Sequence, residues 1–435
     1  MPDPPAGTRL PVEVELLFEL MPCNALRTSQ HAGPGAHPCA YFRSWGTYHA
    51  YDYDYDADGP PPDASIVQPS HYTGRMTPLP EPLSGCRKAP ILAVGINPNL
   101  PGWWPDGHGS LTPDFDSVRQ YAHYFRHRGV FKPELPDDAY RAFGGGPDDT
   151  PLAGVPLTVP EDAQGRREIE VREQPQRMYL AYQELLDALG TELGLDPGTL
   201  TVGEDLSYGN MVACASAKWT TRPDPHEPAL PPMTDDQRVG IVGECFRTRR
   251  HLLRQMFQSL PAVVLVLGQS TANAFTGELG DRLTPVPAPD TPVAQLMATT
   301  IRLTYGTTDD GGELDARVLF APHPTGHPED YAQARPLLVE QLLHEARSGR
   351  LGHDERIGHL TRPRGSCAFC PLLDIGPCPY ADVLTPLPGG GPALLADGPA
   401  PAGAEKRTQL RLLDGITERA APVAEVWAHT DDRED

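Results

Sequence analysis

At 435 residues and a formal charge of −22, the chain can bury a sizeable core and is acidic enough to repel nucleic acid unless its charge is segregated. No apolar run is long enough to cross a bilayer, and the N-terminus lacks the basic-then-apolar order of a signal peptide. A soluble, cytoplasmic, monomeric protein with no membrane partner is expected.

The 51 prolines and 42 glycines are unevenly spread. They crowd residues 1–85, 97–175, 222–233, 284–293 and 385–403, which read as loops, insertions and tails. In the first of these, Cys23, His31, His37 and Cys39 lack finger-like spacing. The first strong element is Ile91-Leu-Ala-Val-Gly95, an unbroken apolar run suited to a strand buried on both faces. Pro98 cannot donate to a ladder and ends the pairing, so Asn97 stands at the carboxyl end of a strand, where open α/β sheets place ligands. A turn-forming asparagine accounts for the same pattern.

Trp103-Trp104 follow, able to stack on a planar ligand or to cover the core. Residues 114–128 and 177–193 have helical periodicity, the second closed by Gly194-Leu-Asp-Pro-Gly198. Leu206-Ser-Tyr-Gly-Asn210-Met-Val-Ala-Cys214 reads as the next strand. Thr234-Asp235-Asp236 can cap a helix running to about residue 259, with Arg247, Arg250 and Arg254 along one face, either solvated or set for phosphate. Pro261–Gly268 is a third buried strand. Gly268-Gln-Ser270-Thr opens a short helix, which marks Ser270 as a candidate phosphate contact, although capping explains the residues equally. Residues 299–305 and 317–321 are further strands. The last ends in Pro322-His323-Pro324-Thr325, followed by a helix with Glu329 and Asp330 at its positive end. Four strand–helix units predict a three-layer α/β/α core with a mostly parallel, four-stranded sheet.

Eight cysteines in such a chain suggest free thiols or metal ligands more than disulfides. Cys367-Ala-Phe-Cys370-Pro371, then Cys378-Pro379, has the CxxC-Pro pattern of metal knuckles and iron–sulfur loops, and needs further ligands from elsewhere.

Taken together, the strand-end motifs resemble those of the uracil-DNA glycosylase superfamily over residues 88–345. Gly95-Ile-Asn97-Pro98 is similar to the first motif of its mismatch-specific branch. Asn210-Met-Val-Ala-Cys214 and Pro261–Gly268 are similar to segments of its iron–sulfur branch, and Pro322-His323-Pro324-Thr325 to its His-Pro-Ser motif. The resemblance implies a hydrolase that flips uracil, or a related damaged base, out of DNA and cleaves its N-glycosidic bond. Asn97 would hold the attacking water, His323 would donate to the departing base, and Asn210 would match its edge. Trp103 or Trp104 would stack on it, with Ser270 and Thr325 near phosphate. It further implies one structural [4Fe–4S] cluster, held here by Cys214, Cys245, Cys367 and Cys370, with Cys378 or Cys86 as a substitute and zinc as the alternative metal. Three departures stand out: Ile96 in place of an acid, Asn99 in place of glycine, and Gly326-His327 where the minor-groove wedge belongs.

The expected organisation is a Pro-rich extension (1–85), a glycosylase-like core (86–347), a Cys-containing segment packed on it (348–384) and an acidic tail (385–435). The competing function is a non-repair member of the fold that binds or acts on a nucleobase, nucleoside or other small molecule. The overall acidity and the long insertions favour that alternative, and the set of Asn97, Asn210 and His323 favours the glycosylase.

Overall fold

The computed structural model describes residues 38–41, 83–98, 126, 158–160, 166–168, 177–214, 219, 234–307, 313–361, 370 and 380. Its first strand, β1 (Ile91–Gly95), is wholly buried, as a run of five apolar or small residues requires. A two-stranded hairpin, β2 (Thr158–Pro160) and β3 (Arg166–Glu168), lies in the Gly/Pro-rich insertion. Helix α1 (Arg177–Glu192) follows. Leu195 donates back to the Gly190 carbonyl at 2.8 Å, and Gly194 takes the left-handed conformation that a helix stop favours. Next come β4 (Leu206–Asn210), α2 (Asp235–Val242), α3 (His251–Ser259), β5 (Val263–Leu267) and α4 (Gln269–Leu279). Strand β6 (Leu283–Thr284), α5 (Val293–Met297), β7 (Ile301–Thr307), β8 (Glu313–Ala321) and α6 (Pro328–Arg347) complete the core, and a hairpin of β9 (Gly352–Asp354) and β10 (His359–Thr361) follows.

The main sheet has six strands in the order β4-β1-β5-β8-β7-β6, not the four expected. The first four are mutually parallel. The sheet is wider because β7 pairs antiparallel with β8, and the short β6 pairs antiparallel with β7. Alternate side chains feed two cores. Ile91, Ala93, Leu206, Tyr208 and Leu265 face α1 and α6, while Leu92, Val94, Val264, Val266 and Phe320 face α2 to α5. No helix among the described residues is long and apolar enough to cross a membrane.

The helix expected from Thr234 to residue 259 is broken. Thr234 does cap it, in a reciprocal box with Gln237. Residues Gly243–Thr248 then widen into a π-helical turn, closed by Arg249 N–H on the Glu244 carbonyl (2.9 Å) and by the Arg249–Glu244 ion pair (2.9 Å). Arg250 takes a left-handed conformation and α3 starts afresh. The arginine stripe is therefore split: Arg247 pairs with Glu278 at 3.0 Å, and Arg250 is buried with its Nε on the Arg247 carbonyl.

Candidate functional site

The strand order creates a crevice. The chain leaves β1 toward β4 on one side, and leaves β5 toward β8 on the other. At such a reversal the loops beyond the carboxyl ends part, and ligands of open α/β sheets bind there. Asn97 follows β1, Ser270 lies just past β5, Asn210 ends β4 and His323 follows β8. All four thus stand on one edge of four adjacent parallel strands, spanning roughly 14 Å at normal strand spacing.

On the β4–β1 side, Gly95 lies opposite Asn210 in register. The pairing runs on past the strands: Met211 N–H donates to the Gly95 carbonyl and Val212 N–H to the Ile96 carbonyl, both at 2.9 Å. This carries Asn97 up beside the residues that follow Asn210. Tyr208 and Asn210 share one face of β4, and the buried Tyr208 hydroxyl donates to Asn210 Oδ1 at 2.6 Å. That bond fixes the amide's orientation, with Nδ2 as its donating end. Gly95 has to lack a side chain, because a Cβ there would strike the Tyr208 hydroxyl and lie 2.8 Å from Asn210 Oδ1. Asn97 is half-buried, and its Nδ2 donates to the Pro98 carbonyl at 3.1 Å.

On the β5–β8 side, Gly268 N–H donates to the Ala321 carbonyl (2.8 Å), which locks the two strand ends together. Gly268 has φ +84°, and a Cβ there would approach His323 Cβ to 3.1 Å. Gly268→Ala is therefore expected to cost about 1–3 kcal/mol through backbone strain and to displace the imidazole. Denaturant melts would report the strain, and shifted imidazole resonances of His323 would report the displacement.

His323 itself is poised as a neutral donor. Its Nδ1 receives two backbone N–H groups, from Thr325 (3.3 Å) and Gly326 (3.2 Å), with the Thr325 hydroxyl at 3.1 Å. Two N–H groups can aim only at a lone pair, so the ring proton sits on Nε2. Burial, then the charge of His327, holds its pKa below the ordinary histidine value. The first turn of α4 has no side-chain cap, and Ser270 is exposed on it. Gln269 and Asn273 of that helix are engaged instead in pinning the loop at Asp290, Thr291 and Val293.

The cysteines separate. Cys245 Sγ accepts the Ala213 N–H at 3.2 Å, which sets it beside Cys214 at the carboxyl end of β4. Cys39, on the Pro38–Tyr41 turn, packs against the core that holds both thiols, with Pro38 close to Gly240 of α2. Cys86 and Cys370 are buried too. Cys86 donates its own N–H to the Gly203 carbonyl ahead of β4 at 2.6 Å, and the Arg126 guanidinium donates to the same carbonyl. Of the expected ligand set Cys214, Cys245, Cys367 and Cys370, the three described thiols are buried and outside any disulfide. Cys367, Cys378, Trp103 and Trp104 lie outside the described residues. Among the described residues, no three Cys, His, Asp or Glu side chains gather closely enough to hold a metal.

Sequence reading missed Tyr208 as the orienter of Asn210; its signal was the two-residue spacing along a strand. It also missed Gly95 and Gly268 as contact-limited positions. No protein family matches the chain, and no curated protein matches it either.

Proposed function

We propose that the chain is a hydrolase of the N-glycosidic bond of uracil, or of a related damaged base, in DNA. The observation that carries this reading is His323, a neutral imidazole with its donor on Nε2, on the same strand-end edge as the fixed Asn210 amide. A departing pyrimidine carries negative charge on its carbonyl oxygen, and a fixed, partly desolvated N–H stabilises that charge as it develops. Asn210 would read the base edge, donating through Nδ2 while its oxygen keeps a second lone pair for an N–H. Asn97, across the crevice, would hold the attacking water. Trp103 or Trp104 would stack on the flipped base. Ser270 on the open first turn of α4 and Thr325 beside His323 would meet flanking phosphates. The core would be a three-layer α/β/α sandwich.

Cys214 and Cys245 fit a pair of ligands for a structural [4Fe–4S] cluster or zinc: they are buried neighbours, and one sulfur already accepts a backbone N–H. When bound, such a group would supply rigidity to the contact between the π-helical turn and the segment after β4.

A uracil-containing oligonucleotide tests the reading. Free uracil should be released, and release should fall by two orders of magnitude or more in Asn97→Ala, on the scale of single positioned catalytic groups. The net charge of −22 favours a second reading, a nucleobase- or nucleoside-directed protein that has left DNA. Absence of binding to single-stranded DNA at low salt, together with binding of free uracil or uridine, would establish that second reading in place of the first.

A further inference from the structure

Two residues before Asn210, on the same face of β4, Tyr208 is held with little freedom. Its backbone lies opposite Ala93 of β1 on one side and is bridged to Ser84 on the other. There Tyr208 N–H donates to the Ser84 carbonyl (2.8 Å) and Ser84 N–H returns to the Tyr208 carbonyl (2.7 Å). The ring packs against Tyr182 of α1 with 6.0 Å between centroids, and Tyr182 meets Tyr179 edge-on at 6.4 Å. The phenol is thus fixed before any ligand arrives, and its hydroxyl donates to Asn210 Oδ1 at 2.6 Å. That length belongs to an O–H···O bond and is short for N–H···O, so the amide turns its oxygen, not its nitrogen, to the phenol. Gly95, opposite Asn210 in register, leaves room for the pair: a Cβ there would strike the hydroxyl and come within 2.8 Å of Oδ1.

An asparagine amide is nearly symmetric in shape but not in hydrogen bonding. Half a turn exchanges its donor and its acceptor with hardly any change in volume. Uracil and cytosine differ along one edge by the same exchange. Uracil offers an exocyclic carbonyl and a ring N–H; cytosine offers an amino group and a bare ring nitrogen. An amide free to turn would suit both. We propose that the Tyr208 hydroxyl, by holding the Asn210 amide in one orientation, makes the site accept uracil and reject cytosine. With Oδ1 tied to the phenol, Nδ2 donates to the uracil carbonyl and the second lone pair of Oδ1 accepts the ring N–H. Cytosine in the same place sets N–H against N–H and lone pair against lone pair. Turning the amide would take from the buried phenol the acceptor of its proton, a loss that is costly inside a protein. Tyr208 acts through Asn210 and is therefore a positioning residue. The inference rests on the reading of Asn210 as the group that meets the base, and it applies to a flipped nucleotide and to a free base alike.

The test compares the parent chain with Tyr208→Phe, which keeps the ring and removes only the hydroxyl. Release of uracil and of cytosine is measured from single-stranded oligonucleotides that carry one or the other at the same position. A merely structural role would slow both releases together. Loss of the orientation lock narrows the uracil-to-cytosine ratio instead, by roughly ten- to a hundredfold, the scale of one buried hydrogen bond. Gly95→Ala, which displaces the hydroxyl without removing it, should narrow the ratio in the same direction. If uracil is released and neither variant narrows the ratio, the proposal falls while the glycosylase reading stands. If the parent chain cleaves neither oligonucleotide, calorimetry with free uracil and free cytosine decides. A preference for uracil that Tyr208→Phe reduces upholds the lock and removes the glycosylase. No preference in the parent, or one that the variant keeps, overturns the lock as well.

Discussion

His323→Ala should slow release of uracil by roughly 10²- to 10³-fold at saturating substrate, with little change in DNA binding. The group removed is a donor to charge that appears only as the bond breaks, so the loss belongs in kcat and not in KM. The pH profile adds an independent check. Thr325 and Gly326 N–H groups occupy Nδ1, so a second proton on the ring would have to displace them. Burial and His327 already hold the pKa below its ordinary value. The neutral donor is therefore expected to survive as pH falls through about 6.5, the unperturbed value. Activity should decline only further into the acid range. A rate that drops with a midpoint at or above 6.5, or a His323→Ala chain as active as the parent, would remove His323 from the chemistry.

The second large effect concerns stability. His251 opens α3 with both ring nitrogens buried and without a hydrogen-bond partner among the described residues. Burial, then the charges of Arg254 and Arg249, lowers its pKa to about 3, with Glu244 opposing. The folded state thus refuses a proton that the unfolded chain accepts below about pH 6.5. Stability from this group is present in full above 6.5 and drains away as pH falls toward 3, at roughly 1.4 kcal/mol per pH unit, several kcal/mol in all. Replacing His251 by phenylalanine should flatten that part of the profile. Urea midpoints at pH 7, 6, 5 and 4 for both chains would show it, and parallel profiles would dismiss the assignment.

The strand-end placement of Asn97, Asn210 and His323 could be read from the chain because each element announces its own end. Ile91 to Val94 is apolar without a break, and Pro98 stops the ladder, so Asn97 has to emerge at a strand mouth. Asn210 and His323 follow from the same logic. What could not be read depends on distance in space. Cys214 and Cys245 look like any other thiols in the sequence, and nothing in their spacing tells that the Cys245 sulfur comes to rest on the Ala213 N–H. The break at Arg250 is equally silent: neither glycine nor proline marks it, and the π-helical turn before it is closed by a Glu244–Arg249 pair that an ordinary helix pattern does not single out. Of the two strands that widen the sheet, β7 was legible as residues 299–305 but has no helix of its own to count as a strand–helix unit, and β6 is only Leu283–Thr284, too short to carry a periodicity.

Asp205 has a consequence for where the folding unit stops. Its carboxylate is completely enclosed and accepts Thr201 N–H at 2.7 Å and Leu360 N–H at 2.6 Å, with His359 Nδ1 at 3.2 Å. One anion is thus shared between the approach to β4 and a hairpin that lies after the final long helix. Severing the polypeptide at 347, where the motifs run out, would take away two of those three neighbours and uncover a carboxylate whose hydrogen bonds the hairpin supplies. The smallest autonomous piece must extend through Thr361, so what looks like an appendage in the sequence is a keystone of the tertiary structure.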